Sequence, residues 1–574
     1  MLSDLGKKQK SLVLVGLMLG MLLSALTSTI VSTAMPRIIA TLGGMEFLSW
    51  ALTAYMLSST VSMPIAGKLS DMFGRKPFYI GGIIVFLIGN ILCGTADSIT
   101  QFIIYRAIAG IGGGVMQANA MSIIADLYPP DKRGKYQGLI GAVFGVASLI
   151  GPVMGGYITD HWNWSWVFWI NIPMGLIAIG ILSHALPRIR TQQDPSSIDY
   201  AGSALLIAAF IPLLVAFSWS GTRYHWISQP IMLLIGISVI ALILFILVER
   251  KAREPIVPLS LFKHSIFNVS VITTFLMSIG MFGTLMFMPM FIQGVLGYSA
   301  SSSGIAIAPM MGGLIIASII SGQLVTRTGK YRVLVICGFV VMTVAMVLLS
   351  FMNETTTTAT LVINMILFGI GLGIALPIFV VAVQSAFPHN QVGIVTAGLQ
   401  FFRSIGGTFG VAVMGSILNT RFRSAALESI PIEARSSLSE QQLHLFDTPQ
   451  ALFSPDATDQ LIRNNDPASA RIMEQTINDL RAVLADAFNY VFIMGIIVIT
   501  AALISSFFLK EIPLRKTNRP AAEQAGMEMM ADGAAVTGLA PAPESEPNIF
   551  EGSEPPSSRA GRSTRRSSTQ KTPD

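Results

Sequence analysis

Charged residues are scarce in this chain. Asp, Glu, Lys and Arg make up only 12% of its 574 residues, whereas 52% are hydrophobic and the mean hydropathy is +0.64. Soluble domains carry about 25% charged residues. The composition therefore excludes a soluble protein and predicts an integral membrane protein. The net charge of +6 comes from loops and the C-terminal tail, so no nucleic-acid partner is implied.

Cysteine is almost absent as well. The two cysteines, Cys93 and Cys337, both fall inside apolar runs. Two such thiols imply neither a disulfide framework nor a metal site, and we interpret both as buried apolar residues.

Three other classes of membrane protein fit this sequence poorly. An ATP-driven pump needs a phosphate-binding loop ending in Gly-Lys-Ser/Thr, but every Gly-Lys in the chain is followed by Lys, Leu or Tyr. A membrane hydrolase needs a nucleophile with a base, or paired acids, and no predicted span holds a deep His or carboxylate. A channel does not require the duplicated halves described below.

Apolar runs long enough to cross a bilayer are abundant. A span needs about 20 residues, and lipid offers no partner to an open backbone, so each run is a predicted α-helix. Fourteen runs lie near 11–35, 47–66, 78–96, 101–125, 137–158, 164–186, 200–220, 229–248, 267–296, 303–325, 333–352, 358–384, 394–419 and 486–509.

Basic residues predict the orientation of these spans. The loops after even-numbered spans carry most of the short-loop Lys and Arg, whereas the odd short loops offer only Arg37 and Arg223. We therefore expect the even loops and both termini to be cytosolic in a multi-pass plasma-membrane protein. The predicted outer ends hold every tryptophan, as an interfacial aromatic belt requires: Trp50, Trp162, Trp164, Trp166, Trp169, Trp219 and Trp226.

One loop pattern occurs twice. Residues 67–76 read Gly-Lys-Leu-Ser-Asp-Met-Phe-Gly-Arg-Lys, and a fainter copy at 322–332 keeps the two glycines and the basic end. The duplication extends to Gly110, Gly112, Gly114, Pro129, Gly134, Gly151 and Gly156, which recur as Gly369, Gly371, Gly373, Pro388, Gly393, Gly410 and Gly415. The seventh and eighth spans have no copy. The fold class is thus an all-α membrane protein with two six-helix bundles and two extra central helices.

Domain boundaries follow from this plan. We expect a cytosolic N-terminus at 1–10, an N-terminal six-helix bundle at 11–190, a two-helix insert at 195–250 and a C-terminal bundle at 265–510. The last bundle includes a polar outer loop at 420–485, in which 467–485 is a candidate short amphipathic helix. The tail at 511–574 is rich in Pro, Ser, Glu and Arg, which predicts a disordered cytosolic segment.

Five motifs carry a resemblance to a known family. They are Thr29-Ile30-Val31 with Ala34-Met35-Pro36, the 67–76 loop, Tyr105-Arg106 with Ala109-Gly110-Ile111-Gly112, Gly145 with Gly151-Pro152-Val153-Met154-Gly155-Gly156, and Asn171-Ile172-Pro173-Met174-Gly175. Over about residues 12–510 the chain resembles the major facilitator superfamily, and within it the fourteen-span drug:proton antiporters. The resemblance implies the major facilitator fold and a secondary transporter rather than an enzyme. Such a transporter exports lipophilic small molecules by alternating access, driven by the proton gradient, with no cofactor, as a functional monomer.

The resemblance also assigns roles to residues. The residues assigned to gating are Gly67, Asp71, Gly74, Arg75 and Lys76, among which Asp71 and Arg75 can pair with each other and with a helix end. Gly151, Pro152, Gly155 and Gly156 form the helix-bend signature of antiporters. Arg106 lies in the fourth-span signature and Arg403 is the other deep cation of the chain. The two buried charges have either a role in coupling or a structural one. Candidate substrate-lining residues are Thr27, Tyr55, Gln117, Asn119, Met286, Gln293, Gln384, Gln400 and Phe401.

The sequence departs from the family at one place. The first-span signature normally begins Leu-Asp, and here it reads Leu26-Thr27. With no deep carboxylate and two deep Arg, a binding site would disfavour cations and accept neutral, zwitterionic or anionic lipophiles. Asp71, Asp126 or Asp160 is left to carry the coupling proton. The alternatives are an exporter of one endogenous metabolite or lipid, and a receptor that has lost transport.

Overall fold

Helices dominate the described part of the protein. The computed structural model describes residues 5–42, 47–187, 199–220, 224–252, 254–298, 300–388, 391–429 and 467–513. We label the helices α1 Lys7–Leu42, α2 Leu48–Phe73, α3 Arg75–Gly94, α4 Ile99–Leu127, α5 Pro130–His161, α6 Trp166–Trp169, α7 Asn171–Ala185, α8 Tyr200–Trp219, α9 Gln229–Glu249, α10 Ser265–Gly294, α11 Ala300–Thr328, α12 Arg332–Ser350, α13 Thr358–Ala386, α14 Val392–Ser429 and α15 Pro467–Ser506. A 3-10 helix, Leu259–Lys263, precedes α10.

Thirteen helical segments in the described ranges are long and apolar enough to cross a membrane. The one predicted span that is not among the thirteen is the second, at 47–66. It corresponds to α2, which is 26 residues long. Its middle carries Ser58, Thr60 and Ser62, which lower its hydropathy. Each hydroxyl donates to a backbone carbonyl one turn earlier, so the polar groups are satisfied within the helix.

The helices form two bundles with a helix pair beside them. In the first bundle α4 packs on α2 and α3, and α1 packs on α5 and α7. In the second, α13 packs on α11 and α12, and α10 packs on α14 and α15. α8 lies against α9 and also contacts α2 and α14, one helix from each bundle. This arrangement confirms the predicted fold class, whereas the domain boundaries stay predictions.

Glycines set the spacing between helices, including those of different bundles. A Cβ on Gly112 of α4 would collide with the backbone of Phe86 and lie 2.6 Å from the carbonyl of Gly82, both on α3. Between the bundles, α5 meets α11 where Gly134 faces Gly322 backbone to backbone. In a membrane such contacts rest on van der Waals packing, so only small residues permit them.

The region between the last two spans differs from the prediction. α14 continues to Ser429 and α15 begins at Pro467, so the outer loop predicted at 420–485 is helical at both ends. The predicted helix at 467–485 is present but is not short, because the buried residues Ile477, Leu480 and Leu484 continue the helical period into the span. Residues 430–466 and 514–574 lie outside the described residues.

The two cysteines also differ from each other. Cys93 is fully buried as predicted, but Cys337 is exposed on α12. The prediction for Cys337 was wrong because an apolar run does not distinguish the inner face of a membrane helix from its outer face.

The close approach of α3 and α4 gives a test of this packing. We expect Gly112→Val to destabilise the protein by about 1–3 kcal/mol, because the added methyl groups must displace the α3 backbone. Gly81→Val on α3 is the matched control, since a Cβ there would meet nothing within 4 Å. Thermal unfolding of the purified protein in detergent measures both. Equal unfolding temperatures for the two variants would contradict the packing described.

Candidate functional site

A charged cluster joins the end of α2 to the start of α3. Arg75 is ion-paired with Asp71, its Nε lies 3.0 Å from Asp126 Oδ2, and its Nη1 donates to Ser70 Oγ at 2.8 Å. The side chains of Asp71, Arg75 and Asp126 are only 10–11% exposed. One guanidinium thus neutralises two largely buried carboxylates, which would otherwise be costly to hold there.

The local sequence makes this geometry possible. α2 ends at Phe73, and Gly74 has φ of 98°, a conformation that glycine adopts without the Cβ penalty. α3 then starts at Arg75, so Asp71 and Arg75 lie on either side of a one-residue turn and face the same space. The sequence prediction that this pair forms is confirmed by the contact.

The cluster reaches across to the second bundle. Asp71 Oδ2 accepts a hydrogen bond of 3.0 Å from the backbone N–H of Ile394, in the first turn of α14. The N-terminus of a helix carries partial positive charge, so it attracts the carboxylate. Gly393 makes room, since a Cβ there would collide with the Asp71 carboxylate. We call Asp71, Arg75, Asp126 and the first turn of α14 the latch, and the membrane face on which it lies the basic face.

Other residues of the loop signature make different contacts. Gly67 packs against Ala397 of α14, where a Cβ on Gly67 would lie 2.5 Å from that of Ala397. Lys76 donates to the carbonyl of Ser183 on α7 at 2.6 Å and so fastens α3 within the first bundle. Lys68 forms a 2.6 Å ion pair with Glu254, which follows α9.

Arg133 is a second link between the bundles that sequence reasoning missed. Its guanidinium donates to the carbonyls of Ala125 and Tyr128 at the end of α4, at 2.9 and 3.1 Å, and to Gln384 of α13 at 3.2 Å. The side chain is 2% exposed. In the sequence Arg133 counted only as a topology signal. Its partners are backbone carbonyls, which no residue pattern in the sequence identifies.

Arg106 and Tyr55 come together in the first bundle. The Arg106 guanidinium lies over the Tyr55 ring, 4.7 Å from its centroid, and Nε donates to the carbonyl of Ala51 at 3.3 Å. The Tyr55 hydroxyl is 2.8 Å from Ser24 Oγ. A Cβ on Gly113 would collide with that hydroxyl, so glycine leaves space for the ring. The buried cation is held by a carbonyl and a π-face, as its cost in lipid requires.

Three of the five predicted lining residues with amide groups are buried: Gln384, Gln400 and Asn119. Gln384 Nε2 donates to the carbonyl of Met121 on α4 at 3.3 Å and to Thr396 Oγ1 at 3.1 Å. Gln400 is 2% exposed, and among the described residues neither polar atom of its amide group has a hydrogen-bond partner. Asn119 donates to Val115 at 2.8 Å.

The remaining predicted residues are scattered. Thr27 is fully buried and donates to Leu23, so it reaches no open surface in this conformation. Phe401 packs edge-on against Phe210 of α8, with centroids 4.6 Å apart, and therefore faces the insert. Met286 is 48% exposed, whereas Gln117, Gln293 and Arg403 are half-buried on α4, α10 and α14.

The antiporter signature lies in α5, which runs as one helix past Pro152 to His161. A Cβ on Gly151 would collide with Thr29 of α1, and one on Gly155 with Thr33. A Cβ on Gly156 would meet no described atom within 4 Å. Two of the three glycines are thus needed for the contact between α5 and α1.

The helical architecture agrees with comparisons to known proteins. A family model described as Major Facilitator Superfamily matches residues 17–411. The chain belongs to the Major Facilitator Superfamily. It is a transporter and not an enzyme.

Relatives within the superfamily narrow the resemblance. The chain is 41% identical to the multidrug transporter protein MdtP of Bacillus subtilis, over 92% of this chain and 98% of that one. It is 35% identical to multidrug resistance protein 3 of the same organism, over 88% and 96%. An MFS-type transporter of the acurin A biosynthesis cluster of Aspergillus aculeatus is 31% identical over 70% and 73%.

A solved structure agrees on the fold. The crystal structure of the human organic anion transporter MFSD10 superposes with a TM-score of 0.55 at 15% identity, covering 85% of this chain and 99% of that one. At this identity the likeness shows the fold alone.

The latch predicts a measurable change in access to the seam. Asp71→Asn removes the charge that binds Arg75 and the α14 N-terminus, and hydrogen bonds to charged groups contribute about 1.5–3 kcal/mol. We expect the basic face to open about tenfold more often. A cysteine in place of Ser318, which is buried and donates across the seam to Gly138, reports this opening through its rate of labelling by a membrane-permeable maleimide.

The controls use the same protein background. Cys337→Ser removes the exposed native thiol, and Cys93 is buried. Asp97→Asn changes an exposed acid in the turn between α3 and α4, on the opposite membrane face. If Asp71→Asn and Asp97→Asn label at the same rate, the latch does not hold the seam closed.

Proposed function

We propose that this transporter exports lipophilic small molecules from the cell by alternating access, in exchange for protons, as a monomer in the plasma membrane. The 41% identity to a protein named as a multidrug transporter, over nearly the whole of both chains, supports the substrate class. As proposed, both termini lie on the cytosolic side, which is then the basic face.

One observation carries the mechanism: the two bundles are joined on the basic face by contacts that can separate. Asp71 binds the α14 N-terminus through a single backbone hydrogen bond, and Arg133 binds Gln384 through another. At Gly134 and Gly322 the backbones meet without interlocking side chains. Rocking one bundle against the other breaks these contacts without unfolding a helix, as alternating access requires.

The latch is also where we place the coupling proton. In the described ranges, Asp and Glu lie in turns, near helix ends, or at or before the predicted start of the last span. Asp71 and Asp126 are the acids that hold the closed basic face together through Arg75. A proton on Asp71 would cancel its attraction to Arg75 and to the α14 N-terminus, so protonation and opening are linked.

Substrate charge follows from the buried cations. Arg106 is 2% exposed and, within the described ranges, is held by the Ala51 carbonyl and the Tyr55 ring, while Arg403 is half-buried on α14. We therefore propose neutral, zwitterionic or anionic lipophiles as substrates. A second candidate function is export of one endogenous metabolite, which the fungal relative from a biosynthesis cluster favours.

Flux in proteoliposomes with an imposed pH gradient tests these proposals. We expect a neutral lipophilic antibiotic to move against its own gradient when protons flow the other way, and a lipophilic cationic dye to move more slowly. Asp71→Asn should reduce the proton-driven part of the flux at least tenfold, whereas Asp97→Asn should leave it unchanged. Binding without flux would indicate a receptor, and flux of cationic dyes alone would contradict the assigned substrate charge.

A further inference from the structure

Two carboxyl groups face each other at the base of the insert, away from the latch acids. Asp199 caps the start of α8, where its Oδ1 accepts from the backbone N–H of Gly202 at 2.7 Å. Glu249 is the last residue of α9 and is 3% exposed, and its Oε1 accepts from the backbone N–H of Val257 at 2.5 Å. Each acid therefore uses one oxygen to hold local backbone.

The other two oxygens converge on one point. Asp199 Oδ2 and Glu249 Oε2 are both buried and have no hydrogen-bond donor in the described part of the chain. A Cβ on Gly202 would collide with Asp199 Oδ2 and lie 2.9 Å from Glu249 Oε2, so glycine leaves the space between the two carboxyls open. The two carboxyl groups therefore border the same space with no donor between them. Two ionised carboxylates cannot hydrogen-bond to each other because each is only an acceptor, whereas one proton would supply the missing donor.

In the described part of the chain, no cation replaces the missing donor. Arg250 and Lys251 are exposed, and Lys68 is paired with Glu254. Glu249 contacts the backbone N–H of Val257 through Oε1, and its Oε2 borders the same space as Asp199 Oδ2. Two negative charges that border the same glycine in a buried site repel strongly, and one shared proton removes the repulsion.

We propose that Asp199 and Glu249 form a carboxyl–carboxylate pair that binds one exchangeable proton at the base of the two-helix insert. The pair lies on the basic face but is distinct from the latch, and it does not depend on the proposed export activity. When the proton leaves, the ends of α8 and α9 repel each other. α8 packs against both α2 and α14, the helices that the latch joins, so this proton acts on the seam from outside the two bundles.

Infrared spectroscopy of the full-length protein tests the pair without any transport assay. We expect a protonated-carboxyl band at neutral pH that loses the intensity of one carboxyl in Glu249→Gln and, separately, in Asp199→Asn. Each amide can donate to the remaining carboxylate in place of the proton, so both variants should fold. Glu254→Gln is the matched control, because Glu254 is ion-paired with Lys68 and should not contribute to the band. Unchanged spectra in both variants would overturn the proposal.

Thermal unfolding gives an independent readout. The folded pair holds a proton that the unfolded acids, with pKa values near 4, have released at neutral pH. Since the folded state then binds more protons, its stability falls as pH rises. We expect the unfolding temperature of the wild type to fall relative to Glu249→Gln by a few degrees between mildly acidic and mildly alkaline buffer. A difference that depends on the salt cation but not on pH would indicate a bound metal ion and would also overturn the proposal.

Discussion

The structure depends on one arginine held between two carboxylates at the start of α3. Without Arg75, Asp71 and Asp126 would be like charges buried together at the ends of α2 and α4, an arrangement that the protein interior does not tolerate. With it, Asp71 still has an oxygen free to bind the N-terminus of α14. The charge balance inside the first bundle thus determines how strongly that bundle holds the second.

This dependence explains why the seam is built from small and polar residues. Gly134, Gly322 and Ser318 let the backbones of α5 and α11 touch, but they add little apolar surface that would resist separation. Gln400 is buried in the closed state without a hydrogen-bond partner for its amide. Such a group destabilises the closed seam, and water can satisfy it when the seam opens. The contacts of the latch offset this cost in the closed state.

The sequence predicted the parts that repeat or that follow a local rule. The fold class followed from apolar runs and paired glycines, and the contact between Asp71 and Arg75 followed from their positions around Gly74. Arg133 was missed because its partners are backbone carbonyls, and a carbonyl leaves no mark in the sequence. The sequence could not predict which neighbours the side chains of Thr27 and Phe401 face. The rotation of a helix that is apolar all round is set by the helices packed against it.

The insert was the least informative part of the sequence, because it has no copy with which to compare it. Unlike either bundle, the insert contacts helices of both bundles. Phe210 of α8 packs against Phe401 of α14, the Thr53 hydroxyl of α2 lies 3.2 Å from that of Ser218 on α8, and Trp226 donates to Ser416 of α14 at 3.0 Å. A helix that is bonded to both sides of a moving seam must slide against at least one of them. Further aromatic pairs join Phe217 to Phe409 of α14 and Trp219 to Trp50 of α2, so α8 is held to both bundles. Lys68 and Glu254 tie the end of the insert to the loop beside the latch. The insert is therefore placed to bias the seam rather than to close it.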